Sequence, residues 1–170
     1  MGLNYEGETS EIRTDAYHGT DLASAESILR SGFIPQLGIV GVGAYFDLGD
    51  DSSARERALE KAGGSFAQAV VIRAAVHLGQ TIEVNFELNP QIKVEFQQFQ
   101  KEIEQRFGGK IPMNFSQQKE LFIQERHPEI HSASYFQTRQ NQLTVAVRDS
   151  KRIKILSVVT LTGRVIQSCF

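Results

Sequence analysis

The distribution of apolar residues along the chain predicts a protein built from both strands and helices. Residues 69–78, with the sequence AVVIRAAVHL, predict a buried β-strand that ends at Gly79. Residues 143–148 alternate instead, which predicts a strand with two different faces. One face carries Leu143, Val145 and Val147, and the other carries Gln142, Thr144 and Ala146. Shorter strands are predicted at residues 16–18, 81–84, 134–136, 152–161 and 164–167, and an edge strand with a loop at 33–40.

Four segments combine helical spacing of apolar residues with helix-end signals. Asp21 or Ser24 is expected to cap the first helix, and Gly32 to end it. The Asn89-Pro90 pair is a typical helix start. The predicted helices span residues 22–30, 52–62, 90–107 and 116–126, with Asp51 or Ser52 capping the second and Ser116 the fourth. The apolar stripe of the third helix consists of Ile92, Phe96, Phe99, Ile103 and Phe107.

Strands and helices follow one another without the regular alternation of a parallel α/β fold, so the sequence predicts an α+β protein. The chain has 170 residues, a length typical of one domain with one core. Residues 1–14 are polar and acidic, and we expect them to form a flexible lead-in. The domain itself is predicted at residues 15–170.

Charge and cysteine content narrow the classes of partner and compartment. The net charge is −2, and no cluster of Lys and Arg points to a membrane or nucleic-acid surface. No apolar run approaches the roughly 20 residues of a membrane span, and the N-terminus lacks the apolar segment of a signal peptide. The sole cysteine, Cys169, excludes an internal disulfide. We therefore expect an intracellular, cytoplasmic protein without a membrane partner; secretion without a signal peptide stays open.

Three short motifs carry candidate chemistry. Residues 17–20 read YHGT, residues 41–46 read GVGAYF, and residues 51–54 read DSSA at a predicted helix start. Glycines allow a backbone to approach a ligand closely. An aromatic ring supplies stacking area, and imidazole and hydroxyl groups supply directional hydrogen bonds. Together the motifs suit a flat amide ring held between an aromatic face and backbone groups.

These motifs, in this order and spacing, resemble those of the ADP-ribosyltransferase superfamily, specifically its PARP-like, diphtheria-toxin-like H-Y-x branch. The resemblance implies a split β-sandwich of two antiparallel sheets with flanking helices, and NAD bound in the cleft between the sheets. It implies NAD⁺ as a substrate and no metal. His127 and His131 lie four residues apart but flank Pro128, which disfavours a helical metal site.

The resemblance assigns roles to individual residues. His18 would bond a ribose hydroxyl, the Gly19 backbone would bind the nicotinamide carboxamide, Tyr45 would stack on nicotinamide, and Ser53 would contact the carboxamide. The implied NAD-binding set is His18, Gly19, Thr20, Gly43, Tyr45 and Ser53. Ordinary alternatives are a strand-end histidine satisfied by backbone, a turn glycine, a core tyrosine and a helix-capping serine.

The third catalytic position departs from the family pattern. Polymer-forming members carry a glutamate there, whereas this chain has Thr144 or, with a register shift, Gln142. Neither side chain can carry a negative charge, so polymer formation is not expected. Glu125, which precedes the last strands, is considered as a substitute carboxylate, and a solvated helix position is favoured for it. Glu56 stands where the family often has a second stacking aromatic.

The preferred interpretation is an NAD-dependent mono-ADP-ribosyltransferase. Its acceptor is an unknown protein, nucleic acid or small molecule. Two alternatives stay open: a catalytically inactive module that binds NAD or ADP-ribose, and an NAD glycohydrolase that uses water as the acceptor. An RNA 2′-phosphotransferase ranks last, because residues 43–46 read GAYF where that family has a second histidine motif.

Overall fold

The computed structural model describes residues 12–168, and this part of the chain is α+β, as predicted. The elements in chain order are β1 (Ile12–Asp21), α1 (Leu22–Ser31), β2 (Gln36–Gly38), β3 (Gly41–Leu48), α2 (Ser52–Lys61), β4 (Ala69–His77), β5 (Thr81–Glu83), α3 (Pro90–Arg106), α4 (Phe115–Arg126), β6 (Ser132–Gln137), β7 (Gln142–Val147), β8 (Ile153–Thr160) and β9 (Val165–Ser168). Strand β1 is longer than predicted and includes residues 12–14, which were assigned to the lead-in. Residues 1–11 and Cys169 lie outside the described residues.

Hydrogen bonds join the nine strands into one sheet, with β2 attached to β3 and the others in the order β5-β6-β7-β3-β1-β4-β8-β9. The prediction of purely antiparallel strands is wrong for one pair, because β5 and β6 run parallel. A parallel pair needs a long crossover, and α3 and α4 provide it here. Among the described residues, the expected division into two separate sheets is not seen.

The junction between β1 and β3 is nevertheless narrow. The two strands pair only at Ala16 with Leu48 and at Tyr17 with Asp47. Beyond these pairs, β1 stays on β4 as far as Asp21, while β3 stays on β7. A gap therefore opens inside the sheet, with the end of β1 on one side and the first half of β3 on the other.

The two faces of the sheet pack against different apolar cores. In β7, Val145 and Val147 belong to the core beside α1, whereas Ala146 belongs to the core under α3 and α4. This confirms the predicted division of that strand into two faces. The buried stripe of α3 consists of Ile92, Phe96, Phe99 and Ile103. Phe107, predicted to extend the stripe, follows the last helical residue and is exposed.

The helix ends follow local capping chemistry. Asp21 caps α1 through a hydrogen bond from the Ser24 backbone, and Gly32 follows the helix with a φ of 79°, as predicted. The predicted cap of α4 is wrong, because Asn114 caps that helix. Asn114 and Gln117 exchange side-chain-to-backbone hydrogen bonds in a capping box. This reciprocal pair satisfies two backbone donors, so the helix begins before Ser116.

A largely buried ion pair ties α4 to the start of β3. The Arg148 guanidinium donates to both carboxylate oxygens of Glu120, at 2.6 and 2.8 Å. Glu120 also accepts the backbone N–H of Val42 at 2.6 Å. Burial alone would raise the pKa of Glu120, but the hydrogen bonds from Arg148 and Val42 outweigh burial and lower it. The carboxylate therefore fixes the strand that leads to Tyr45.

Replacing one partner of this pair should destabilise the fold strongly. We expect Glu120→Gln to lower the free energy of unfolding by roughly 3–5 kcal/mol at pH 7, because it leaves the Arg148 charge largely buried and unpaired. The pKa of Glu120 is lowered on folding, so the ion pair stabilises the protein above pH 4.5, the ordinary value, and this contribution is lost as the pH falls through the folded-state pKa.

Urea denaturation of the parent and the variant at pH 7 and at a series of pH values below 4.5 measures this effect. The control is Glu125→Gln, which breaks an exposed pair with Arg106 and should cost less than about 1 kcal/mol. Equal losses for the two variants would contradict the structural role of Glu120.

Candidate functional site

Two adjoining cavities occupy the region where β1 and β3 diverge. The larger has a volume of about 510 Å³ and the smaller, which we call the recess, about 110 Å³. His18, Tyr45 and Lys61 line both of them. The larger cavity is also bounded by α1 and by residues 32–39, and the recess by Tyr17, Gly19, Asp47 and Arg57. The structure therefore brings the histidine and the tyrosine of the two predicted motifs to one crevice.

His18 bridges the gap between the strands. Its Nδ1 lies 2.8 Å from the carbonyl oxygen of Tyr45, and only an N–H can bond a carbonyl, so Nδ1 donates. Burial, in contact with the rings of Phe33 and Phe46, lowers the pKa of His18 to about 4. The imidazole is therefore neutral near pH 7, and its Nε2 is an acceptor. The alternative of a histidine satisfied by a backbone hydrogen bond therefore applies to Nδ1. The ring still lines both cavities.

The hydroxyl of Tyr45 is committed to the turn between β2 and β3. It donates to the carbonyl of Gly41 at 2.6 Å and accepts the N–H of Val40 at 3.0 Å. Burial raises the pKa of Tyr45 to about 12, so the phenol stays protonated. Gly38 packs on the ring so closely that a Cβ there would lie 2.5 Å from Cζ. What Tyr45 offers to the cavities is therefore ring surface rather than its hydroxyl.

Two glycines of the motifs are required by packing inside the protein. A Cβ on Gly19 would lie 1.8 Å from the carbonyl oxygen of Ala54 in α2. A Cβ on Gly43 would lie 2.8 Å from the Cβ of Ala146 in β7. Both glycines line the cavities, but helix and strand packing already explains their missing side chains. The carbonyl of Gly19 accepts a hydrogen bond from Lys61 Nζ at 3.2 Å.

Ser53 and Gln142 lie next to each other, outside the lining of both cavities. Ser53 Oγ is 3.5 Å from Gln142 Oε1, which is long for a hydrogen bond between oxygens. The Gln142 amide also donates to the carbonyls of Leu48 and Leu143. Ser53 does not cap α2, because that position belongs to Asp51. Thr20, another predicted NAD-binding residue, is almost fully buried in the wall of the larger cavity.

The other candidate for the third catalytic position, Thr144, is bonded to a carboxylate that the sequence analysis missed. Thr144 Oγ1 donates to Asp47 Oδ1 at 2.9 Å, and Arg57 forms an ion pair with Asp47 Oδ2. Asp47 is 1% exposed and lines the recess. One signal in the sequence could have identified Asp47. Side chains two residues apart lie on the same face of a strand, so Asp47 shares a face with Tyr45.

The other carboxylates considered from the sequence lie elsewhere. Glu125 forms an exposed pair with Arg106 of α3, which agrees with the solvated position favoured for it. Glu56 is exposed on α2. Within residues 12–168 there is no group of three or more side chains suited to holding a metal ion. No helix in the same range has the length and apolar character needed to cross a membrane.

Comparison with models of known protein families gives no match to this chain, and comparison with curated proteins gives none either.

Gly19 provides a direct test of the packing between β1 and α2. We expect Gly19→Ala to lower the free energy of unfolding by about 1–3 kcal/mol, because the new methyl group overlaps the backbone of Ala54 and Ala58. Thermal and urea denaturation measure the change. Thr14→Ala, an exposed position on the same strand, should change the free energy of unfolding by about 0.5 kcal/mol or less. An unchanged stability of Gly19→Ala would show that α2 packs differently.

The lowered pKa of His18 predicts a specific pH dependence. Between pH 6.5 and about 4 the unfolded chain binds a proton at His18 and the folded protein does not, so folding stability falls as the pH falls through this window. The loss attributable to His18 should be on the order of 3 kcal/mol. His18→Gln should reduce this pH dependence.

NMR titration of the imidazole Cε1–H signals checks the assignment. The His18 signal should not titrate between pH 8 and pH 5, whereas an inflection near its ordinary value of 6.5 would contradict the buried, neutral imidazole.

Proposed function

We propose that the protein is an NAD-dependent mono-ADP-ribosyltransferase, which transfers ADP-ribose from NAD to an acceptor and releases nicotinamide. The observation that carries this proposal is that His18 and Tyr45, from two diverging strands, line the same pair of adjoining cavities. The divergence of β1 from β3 after two residue pairs supports a split sandwich of the ADP-ribosyltransferase type. Because the reaction consumes NAD, we place the protein inside the cell, in the cytoplasm.

The proposal places the nicotinamide end of NAD at the recess and the rest of the molecule in the larger cavity. The recess volume of about 110 Å³ suits a single small ring. In this arrangement the Tyr45 ring supplies the stacking face, and His18 Nε2 accepts a hydrogen bond from a ribose hydroxyl. The imidazole holds that orientation because its Nδ1 is fixed on the Tyr45 carbonyl.

Lys61 has to move for the carboxamide to reach Gly19. Its ammonium donates a hydrogen bond to the Gly19 carbonyl, and Lys61 lines both cavities. The diphosphate of NAD is a stronger partner for an ammonium group than one backbone carbonyl. We therefore infer that the diphosphate binds Lys61 and frees the Gly19 carbonyl. In a β-strand the N–H and C=O of one residue leave by the same edge, so the Gly19 N–H also faces the gap.

Asp47 supplies the negative charge that neither Thr144 nor Gln142 can carry. As the bond between nicotinamide and ribose breaks, positive charge develops on the ribose, and a fixed carboxylate near it lowers the barrier. Thr144 and Arg57 hold the Asp47 carboxylate at the wall of the recess. In this proposal Asp47 takes the electrostatic part of the missing glutamate, and Thr144 orients it.

A module that binds NAD without catalysis is the second candidate. Its support is that both predicted residues of the third position are engaged within the protein: Thr144 with Asp47, and Gln142 with the carbonyls of Leu48 and Leu143. Neither is then directed at a ribose hydroxyl. The two candidates differ in the release of nicotinamide.

The test uses NAD labelled on its adenylate half and follows nicotinamide release and label transfer, with and without cell lysate. Release that requires lysate, with label on an acceptor, supports the transferase. Release without an acceptor indicates a glycohydrolase, and NAD binding without release indicates the non-catalytic module. Absence of NAD binding at millimolar concentration in calorimetry would refute the whole proposal.

Matched variants locate the site. Tyr45→Ala should weaken NAD binding by about tenfold or more through loss of the stacking face, whereas Tyr45→Phe keeps that face and most of the affinity. Asp47→Asn should lower kcat by about 10²-fold while the Kd for NAD changes little. The control is Asp50→Asn on the exposed turn after β3. Equal activity of Asp47→Asn and Asp50→Asn would exclude the role given to Asp47.

A further inference from the structure

A third cavity, of about 610 Å³, lies on the other side of the segment between β2 and β3. Ile39 lines both this cavity and the larger cavity of the candidate site, and no other lining residue is shared. The walls come from the segment after β5, the first turns of α4 and the turn between β6 and β7. The lining residues include Phe115, Lys119, Tyr135, Gln137, Arg139 and Gln140. The proposed transferase chemistry makes no use of this cavity.

The most unusual group in this cavity is a buried ammonium. Lys119 is 4% exposed, and its Nζ donates one hydrogen bond, to the carbonyl of Ile39 at 3.0 Å. Within the described part of the chain it forms no ion pair, because the neighbouring Glu120 is taken by Arg148. An ammonium has three donors, so two stay without a hydrogen-bond partner there. A buried cation is costly unless it is paired, and burial accordingly lowers the pKa of Lys119. An anion bound beside the ammonium would offset this cost.

Aromatic rings surround this ammonium. Lys119 Nζ lies 4.6 Å from the ring centroid of Phe115, 5.8 Å from that of Phe86 and 5.9 Å from that of Tyr135. Cation–π attraction offsets part of the desolvation of the ammonium but satisfies none of its N–H donors. Phe115 is 50% exposed, although it begins α4 beside an apolar core. The cavity therefore offers a flat apolar surface next to a charged donor.

The open side of the cavity adds a second cation and polar edges. Arg139, in the turn between β6 and β7, has no ion pair among residues 12–168. Gln137 and Gln140 line the same cavity. Glu87 contributes one carboxylate to the lining, which two cations outweigh. A ligand matched to this wall carries an anion, a flat ring and polar atoms along the ring edge.

We propose that this third cavity binds a mononucleotide, with its phosphate between Lys119 and Arg139 and its base against the exposed ring of Phe115. A volume of 610 Å³ lies within the usual range for small-molecule sites. The polar side chains of Gln137 and Gln140 match the edge of a base and would be poorly matched to an alkyl chain. A divalent cation is disfavoured by the two positive charges. This assignment stands independently of the proposed transferase function.

The test measures binding of adenosine 5′-monophosphate to the full chain by calorimetry, and locates it by NMR shift changes. AMP should shift the signals of residues 115–119 and 137–140, and adenosine and inorganic phosphate should each bind at least about tenfold more weakly than AMP. Shift changes confined to His18, Tyr45 and Lys61 would overturn the proposal. Adenosine binding as tightly as AMP would remove the role of the two cations, and phosphate binding as tightly as AMP would remove the role of the ring.

Two charge-removing variants test the phosphate contacts. Arg139→Gln changes an exposed turn residue and should weaken AMP binding by about tenfold without affecting the fold. Lys119→Met keeps the length and apolar stem of the side chain, and should weaken AMP binding by at least as much. The controls are Arg164→Gln and Lys110→Met, at exposed positions away from the cavity. AMP affinity unchanged in both test variants, or lowered equally in the controls, would refute the site.

Discussion

The hydrogen bond from His18 to the carbonyl of Tyr45 holds together two strands that have otherwise separated. Backbone pairing between β1 and β3 ends at Tyr17 and Asp47, and the next donor to reach β3 is the imidazole. The His18 side chain thus takes the place of a backbone hydrogen bond between β1 and β3, and a cavity lies between the two strands. Its cost is the burial of a titratable ring, which depresses the pKa of His18 and keeps the ring neutral.

Around that contact the charges are arranged asymmetrically. Arg57 is balanced by Asp47, whereas Lys61 has the Gly19 carbonyl, a neutral partner. A neutral partner is exchanged for an anion more easily than a carboxylate that is already paired with an arginine. The same contrast recurs farther along the chain, where Arg148 is bound to Glu120 and Lys119 is not bound to any carboxylate within residues 12–168. In each case the arginine is paired with a carboxylate, whereas the lysine bonds a backbone carbonyl.

Much of the local structure could be predicted from the sequence, because its causes are local. The Asn89-Pro90 pair and Gly32 mark helix ends through backbone chemistry that extends over a few residues. The cap of α4 was misassigned because Asn114 and Ser116 are both good capping residues, and only the reciprocal bonds of Asn114 with Gln117 decide between them. The parallel pairing of β5 with β6 depends on how α3 and α4 pack, which no short segment encodes.

Residues of the candidate site that lie in sequence motifs could be predicted. Residues that are defined by contacts between distant parts of the chain were missed. His18 and Tyr45 were found because each lies in a recognisable stretch. Asp47 was missed because its place in the wall of the recess is set by contacts with Thr144 and Arg57, which lie in other elements of the fold. Gly19 was interpreted as a backbone contact to a ligand, and the structure adds a second reason for the glycine, because a Cβ there would overlap α2. A sequence shows that a side chain is absent, but not which neighbour requires its absence.

Three side chains form hydrogen bonds with the backbone of the segment from Ile39 to Val42. Lys119 donates to the carbonyl of Ile39, and Glu120 accepts the N–H of Val42. The hydroxyl of Tyr45 accepts the N–H of Val40 and donates to the carbonyl of Gly41. The carbonyl of Ile39 and the N–H of Val40 belong to one peptide group, so Lys119 and Tyr45 bond the two sides of the same amide. An anion that draws the ammonium away from this amide releases one of its two anchors. If the mononucleotide proposed for the third cavity does this, its binding and ligand binding in the larger cavity of the candidate site influence each other, and thermodynamic reciprocity makes the two effects equal.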